Sequence, residues 1–341
     1  MRASLPWLLA AACALPAAAE PAAPPAVAPL FEQPSVLTPA GHWTLEPSAQ
    51  LAYASSNRVA LVGYTIIPAI LIGLIDVREV KRTTLTAALA LRRGFGKRWE
   101  AELRLPYVAR QDATVSRELF TGTAVERVFD TSGHHQGDAE LSLRYQLSGE
   151  ASARLFTVAG LRLKSRSGRD PFEVVTDCVR RCVGENATGT GLPLEVPTGS
   201  GFVGVQPSLT WLLAADPAVL FGSLSYTRNL PRHQLTRRVR DGQSEWLGTL
   251  SPGDAFGMNL GVGLALNEQL TVSAGYDHTL LGRARQNGAV LPGAVRTQLG
   301  TLLLGMSYRL DAKRSINISL GAGLTRDTPD VSLNLRLPFA L

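Results

Sequence analysis

Apolar and polar residues alternate along most of the chain after Trp43, in segments of about ten to thirteen residues that are separated by turn residues. In residues 99–109 the odd positions are apolar or aromatic, whereas Glu100, Glu102 and Arg104 occupy even positions. A period of two residues is typical of a β-strand that has one apolar face and one wet face. The pattern therefore predicts a chain built from strands.

Twelve segments share this alternation, and each is long enough to cross a bilayer as a tilted strand, which takes about nine to eleven residues. An even number of strands is typical of bacterial single-chain outer-membrane barrels. We therefore predict an all-β fold, a twelve-stranded antiparallel transmembrane β-barrel over residues 43–341. Its strands span approximately 43–54, 82–93, 99–110, 138–148, 153–165, 201–213, 218–229, 254–266, 269–281, 297–310, 315–326 and 330–341.

The connections between these segments alternate in length. The links after every second segment are short, whereas those after segments one, three, five, seven and nine have about fifteen to thirty-five residues. Short periplasmic turns and long extracellular loops are typical of outer-membrane barrels. The last segment carries an apolar residue at every second position as far as Leu341, as in the terminal strands that the barrel-assembly machinery recognises.

The N-terminus predicts export. A positive Arg2, a short apolar stretch over residues 5–15 and an Ala-rich cleavage site predict a signal peptide over residues 1–19. Residues 20–42 form a Pro/Ala-rich segment that we place in the periplasm. Because the chain enters an oxidising compartment, Cys178 and Cys182 predict a small disulfide loop, and no metal site is predicted.

Composition adds two exclusions. The mean hydropathy is only +0.07, and no stretch of eighteen uninterrupted apolar residues follows the signal peptide, which argues against membrane-spanning helices. The net charge is +6 and the sequence pI is near 9.5, yet an outer-membrane location excludes nucleic acid as a partner.

The polar phase of the strands predicts the lining of the barrel lumen. Charged residues at this density are too costly against lipid, so they must face water or pair across the interior. The predicted lumen-lining residues are Glu46, Arg92, Glu100, Glu102, Arg104, Glu140, Arg144, Arg162, Lys164, Asp277, Arg309 and Arg336.

Two predicted extracellular connections carry unusual chemistry. The first, residues 57–80, is too apolar for an ordinary loop; it could extend the hairpin above the membrane, contact another protomer or fold into the lumen. Its plug or gate candidates are Val59, Tyr64, Pro68, Ile72, Asp76 and Arg78. The second is rich in arginine and attracts anions, either lipopolysaccharide phosphates or an anionic substrate. Its candidates are Arg232, Arg237, Arg238 and Arg240.

The sequence offers little support for a catalytic site. His278 lies on the outward phase of its strand but has no suitably placed serine, and the pair His134–His135 lies in a predicted solvated loop. There is no zinc signature, phosphate-binding loop or dinucleotide fingerprint. We therefore predict neither an enzyme nor a cofactor.

The chain from about residue 37 onward resembles a family of proteobacterial outer-membrane transporters related to the barrel proteins of phenol meta-degradation pathways. The resemblance rests on residues 45–48, 55–58, 72–80, 102–107, 137–138, 164–168, 197–201 and 275–276. The same stretches are similar to the export channels of functional-amyloid systems, which are twelve-stranded, plugged and trimeric. Those channels have an N-terminal coiled coil, whereas only residues 20–41 precede the barrel here and contain no heptads.

Three functions follow as expectations. The first is an outer-membrane channel for small solutes, including hydrophobic or aromatic ones. The second is a gated export channel for an unfolded polypeptide, with a homotrimer as its assembly. The third is a structural or adhesive barrel that does not conduct. Membrane lipid and lipopolysaccharide are the surrounding partners in each case.

Overall fold

The computed structural model describes residues 37–56, 75–118, 126–148, 154–176, 193–215, 217–239, 242–291 and 294–341. The predicted signal peptide, most of the Pro/Ala-rich segment, both cysteines, Arg240 and the plug candidates Val59, Tyr64, Pro68 and Ile72 lie outside these residues. No helix among the described residues is long and apolar enough to cross a membrane.

The described residues form eighteen strands. These are β1 (Trp43–Ser56), β2 (Ile75–Phe95), β3 (Trp99–Glu118), β4 (Glu126–Gln136), β5 (Glu140–Ser148), β6 (Leu155–Lys164), β7 (Gly204–Ala215), β8 (Ala218–Asn229), β9 (Arg232–Arg238), β10 (Ser244–Ser251), β11 (Ala255–Ala265), β12 (Leu270–Leu281), β13 (Arg285–Gln286), β14 (Ala289–Val290), β15 (Thr297–Arg309), β16 (Ser315–Gly323), β17 (Val331–Arg336) and β18 (Phe339–Ala340).

Twelve of these strands close into an antiparallel barrel. Their order is β17-β16-β15-β12-β11-β8-β7-β6-β5-β3-β2-β1, and β1 pairs again with β17 in the register Leu51↔Leu333. Strand β18 continues the last strand and pairs with the start of β1. Closure gives every wall strand a partner on both sides, so the sheet has no open edge. The predicted twelve-stranded fold is confirmed.

The outer surface of the barrel is apolar because the two faces of each strand differ. Large aliphatic side chains on the outward phase, such as Leu89, Leu141, Leu304 and Leu333, are between 44% and 51% exposed. Most of the side chains on the inward phase are polar or small. An outward apolar band of this kind is what lipid requires of a membrane-spanning barrel.

The structure extends the predicted strands and adds new ones above the membrane. Strands β2 and β3 continue as a hairpin to Ile75 and Glu118, beyond their predicted ends. Strand β4 pairs with the outer part of β3, in a connection that the sequence pattern treated as a loop. Because β3 already crosses the bilayer, its outer half is free to pair in water with residues whose alternation is too weak to predict.

The other long connections fold together into an extracellular cap. Strands β14, β13, β10 and β9 form a separate four-stranded sheet. Its small core consists of Phe172, Phe202, Leu235, Leu250 and Leu291, which come from three different connections between barrel strands. The long extracellular connections thus contain strands and a core that the sequence did not predict, because these apolar residues are too widely spaced in sequence to show a period.

At the periplasmic end, residues before β1 lie against the turn between β2 and β3. The amide of Gly41 donates to the carbonyl of Gly94, and the amide of Gly94 donates to the carbonyl of His42. A Cβ at Gly94 would lie only 2.2 Å from the carbonyl oxygen of Thr38, so this approach needs a glycine. The segment is thereby fixed to the base of the barrel.

The assignment of faces makes a testable prediction. Leu304 faces outward near the middle of β15, whereas Thr301 on the same strand lines the cavity. Replacing Leu304 with Arg should lower the free energy of unfolding by about 2–4 kcal/mol, because it places a charge near the bilayer mid-plane. The measurement is urea unfolding of the barrel in lipid vesicles.

Thr301→Arg is the matched control, since it introduces the same side chain on the wet face. We expect it to cost far less than Leu304→Arg. Equal costs for the two variants would show that the faces are assigned wrongly.

Candidate channel lumen

The barrel encloses a cavity of about 520 Å³ whose wall is polar on almost every strand. Its two halves differ in kind. Strands β17, β1, β2, β3, β5 and β6 supply nearly all of its charged side chains, whereas β7, β8, β11, β12, β15 and β16 supply mainly hydroxyl, amide and small side chains. Asp277 is the single charged residue that the second group of strands contributes to the cavity lining among the described residues.

A charge cluster occupies the periplasmic third of the lumen. It consists of Glu46, Arg92, Glu100, Glu102, Arg144 and Arg336, and we call it the periplasmic cluster. Arg92 donates from Nε to Glu102 at 2.6 Å and from Nη2 to Glu46 at 3.0 Å. Its side chain is only 6% exposed, so its charge is compensated by these carboxylates and not by bulk water.

Arg144 completes the periplasmic cluster from β5. Its guanidinium donates from Nη1 to Glu100 and from Nη2 to Glu102, a forked arrangement that suits the planar donor. Glu100 is 1% exposed and also accepts a hydrogen bond from the backbone amide of Thr38. The segment before β1 is therefore connected directly to the charges inside the barrel.

A second group lies nearer the middle of the lumen. Arg104 and Arg162, which we call the central arginine pair, both approach the same oxygen of Glu140, at 3.6 and 3.3 Å. Arg162 also donates from Nε to the side-chain oxygen of Gln206 at 2.6 Å. Their side chains are 33% and 41% exposed, so their guanidinium groups reach into the cavity.

A third group, which we call the Asp138 node, fastens the extracellular connections to the barrel rim. The carboxylate of Asp138 accepts hydrogen bonds from the amide of Gly168 at 3.1 Å and from the amide and hydroxyl of Ser200 at 2.8 and 2.6 Å. Lys164 lies 3.5 Å from the same carboxylate and donates to Ser200. The node therefore joins residues 137–138, 164–168 and 197–201.

The Asp138 node lies at an irregularity in the wall. Strands β4 and β5 both pair with β3, but the register changes between Tyr107↔Gln136 and Arg104↔Glu140. The extra residue bends the chain at 137–139 and turns Asp138 towards the connections. Three of the sequence stretches that carry the family resemblance thus meet in space at one carboxylate.

The hydroxyl side chains in the second half of the lumen were missed by sequence reasoning that followed charges and amides. We call these inward hydroxyl side chains the hydroxyl wall, and on β7 and β8 they recur at every second position of the sequence. The members are Ser208, Thr210, Ser223, Ser225, Thr227, Thr279, Thr301 and Ser319. Gln206 and Asn259 lie among them.

The structure places most of the predicted lumen residues around the cavity. Those that line it are Glu46, Arg92, Glu102, Arg104, Glu140, Arg144, Arg162, Asp277 and Arg336. Glu100 lies buried within the periplasmic cluster, and Lys164 belongs to the Asp138 node. Arg309 follows the inward phase of β15 but lies exposed at its periplasmic end.

The arginine-rich connection folds into the cap. Arg232 pairs with Asp170 and lies over the ring of Phe172 at 5.6 Å, while Arg237 pairs with Glu245 at 2.9 Å. Arg238 is exposed beside them. Two of the arginines predicted to contact anions thus already have carboxylate partners within the protein, because the connection folds back on itself.

The plug candidates Asp76 and Arg78 lie in β2, in the part of its hairpin with β3 that extends above the membrane. For the end of that connection, their position favours the hypothesis that the segment extends the barrel hairpin above the membrane. The remaining plug candidates and the predicted Cys178–Cys182 disulfide lie outside the described residues and stay predictions.

The chain is similar to several solved structures. An outer-membrane channel from Pseudomonas putida F1 is 14% identical, with 90% of this chain and 98% of that chain covered and a TM-score of 0.58. The translocator domain of the autotransporter NalP from Neisseria meningitidis is 8% identical, with 89% of both chains covered and a TM-score of 0.45. The toluene transporter TbuX of Ralstonia pickettii is 8% identical, with 91% and 92% covered and a TM-score of 0.44. No family model matches the chain.

The closed wall, the outward apolar band and the polar lumen together define a class. The chain is a twelve-stranded β-barrel of the bacterial outer membrane. Its fold is that of the Pseudomonas putida outer-membrane channel, so the expected likeness to outer-membrane transporters is confirmed at the level of fold.

The periplasmic cluster makes a second prediction. Glu102→Gln removes the carboxylate shared by Arg92 and Arg144 and should destabilise the barrel by about 3 kcal/mol, because it leaves largely buried guanidinium charge uncompensated. Urea unfolding in detergent measures the loss.

Asp311→Asn is the control for this substitution. Asp311 pairs with Arg314 in an exposed periplasmic turn, where the hydrogen bond from Arg314 holds the pKa of the Asp311 carboxyl below its usual value. We expect little change in stability there, since water replaces the lost partner. Comparable losses in both variants would contradict the role given to the periplasmic cluster.

The Asp138 node makes a third prediction. Asp138→Asn removes the charge that binds Lys164 and a carboxylate oxygen that accepts from Ser200, which should weaken the attachment of the segments around Gly168 and Ser200 by about 1–3 kcal/mol. Trypsin added to intact cells should then cleave near Arg166 and Arg169 faster than in the parent protein.

Asp254→Asn is the matched control at the same end of the barrel, because Asp254 binds Tyr226 and Arg228 and not this connection. Unchanged cleavage in Asp138→Asn would show that the connection is held elsewhere.

Proposed function

We propose that the protein is an outer-membrane channel that carries small solutes through its lumen. The observation that carries the proposal is the cavity of about 520 Å³ inside a closed barrel, lined on nearly every strand by polar side chains. A structural or adhesive barrel that does not conduct would not require a polar cavity of this size. Twelve strands also give a barrel wider than the side-chain-filled eight-stranded kind.

The chemistry of the lining limits the solute. Hydroxyl, amide and guanidinium groups can replace the hydration of a small polar molecule as it passes. The cavity also has an apolar part, formed by the inward side chains of Val158, Leu212 and Phe221 on three neighbouring strands. Small solutes that combine a polar group with an apolar body therefore fit this lumen.

The surface of the barrel supports further partners within the same proposal. The outward aliphatic band supports membrane lipid, and exposed Arg238 supports contact with the phosphates of lipopolysaccharide. The alternating pattern of β17 and β18 supports recognition by the barrel-assembly machinery. A homotrimer and a polypeptide substrate remain predictions of the sequence.

Single-channel recording of the purified protein in a planar bilayer tests this function. We expect discrete conductance steps in potassium chloride. Asn259→Trp should lower the conductance by about half or more, because Asn259 lines the cavity and a bulky ring there narrows the path for ions.

Leu260→Trp is the matched control, since Leu260 is the next residue of β11 and its side chain is 46% exposed on the outer face. It should leave the conductance unchanged. A folded protein that never conducts, or equal effects of the two substitutions, would overturn the proposal.

A further inference from the structure

The central arginine pair differs from the other lumen arginines in how far its charge is compensated. In the periplasmic cluster, three arginines meet three glutamates, and Arg92 and Arg144 are only 6% and 11% exposed. At the central pair, two arginines share the single carboxylate of Glu140 and are three to seven times more exposed. Within the group formed by these two arginines and Glu140, one unit of positive charge is therefore in excess.

The donors of the central pair are also oriented towards the cavity. The side-chain oxygen of Gln206 accepts a hydrogen bond from Nε of Arg162 at 2.6 Å. This contact fixes the guanidinium group through Nε and leaves its two Nη groups on the side away from Gln206. Only Nη1 of Arg162 approaches Glu140, at 3.3 Å, and Arg104 approaches the same oxygen from β3. The guanidinium groups of Arg104 on β3 and Arg162 on β6 thus lie on either side of Glu140 at the cavity wall.

We propose that the central arginine pair is a binding site for the carboxylate of a small monoanionic solute, an inference that rests on the proposed function as a channel. A guanidinium group binds a carboxylate through two parallel N–H donors, which is stronger and more directional than a contact with a point charge. The excess of one positive charge matches a monoanion. A dianion would leave a negative charge uncompensated beside Glu140.

The rest of the cavity suits the body of such a solute. The hydroxyl wall offers donors and acceptors without competing charge, and Asp277 alone adds a carboxylate to that side among the described lining residues. Val158 and Leu212 add apolar surface on β6 and β7, the strands that carry Arg162 and Gln206, and Phe221 adds more on the adjacent β8. Benzoate therefore serves as the probe, with uncharged benzamide of nearly the same shape beside it.

The test combines permeation with binding. Reversal potentials in a potassium chloride gradient give the chloride-to-potassium permeability ratio, and saturation-transfer NMR on the detergent-solubilised barrel reports benzoate binding. We expect anion preference and stronger binding of benzoate than of benzamide. Arg104→Gln with Arg162→Gln removes two positive charges and should lower the permeability ratio by roughly five-fold or more, since five-fold is the factor for about one unit charge at contact distance in water.

Arg309→Gln is the control, because Arg309 is exposed at the periplasmic end of β15 and lies outside the cavity lining. It should change neither readout. A conducting protein with no anion preference and equal binding of benzoate and benzamide would overturn this inference and leave the channel intact. A silent protein that still binds benzoate through the central pair would instead overturn the proposed function alone.

Discussion

Backbone amides and carbonyls in the lipid core must find partners within the protein, and this requirement governs the rest of the structure. The wall meets it by closing: β1 pairs with both β2 and β17, so the first and last parts of the barrel share one ladder. Closure fixes the register of every strand, and register decides which side chains face lipid and which face inward. The lumen and its charges exist because the wall is closed.

Charges inside such a wall need partners of their own. The periplasmic cluster, the central arginine pair and the Asp138 node lie at successive heights along β3, β5 and β6. From the periplasmic end upward, the positive charges are balanced by carboxylates in the first group, only partly balanced in the second and balanced again in the third. The lowest group is buried and balanced, the middle group is exposed and carries excess positive charge, and the uppermost group holds the extracellular connections. The inward positions of these strands therefore stabilise the barrel at its base, present guanidinium groups to the cavity at its middle and hold the cap at its rim.

The asymmetry of the lumen follows from the same principle. Ion pairs form between adjacent strands, so charged residues concentrate on contiguous strands where each finds a neighbour. Apart from Asp277, the opposite strands contribute mainly hydroxyl and amide groups to the lining, which need no charged partner. A solute in this lumen meets guanidinium groups on one side and neutral hydrogen-bonding groups on the other, an arrangement that orients a molecule with one charged end.

The sequence by itself determined the twelve wall strands, their faces and most of the charged lining, because a period of two residues is a local property of the chain. It did not determine β4, the cap sheet or the Asp138 node, since the residues concerned lie far apart in sequence and follow no common period. Arg232 illustrates the difference: sequence shows its charge, but only the fold brings Asp170 to it. The pairing of charges across strands, and so which of them remain available to a solute, was decided by tertiary structure.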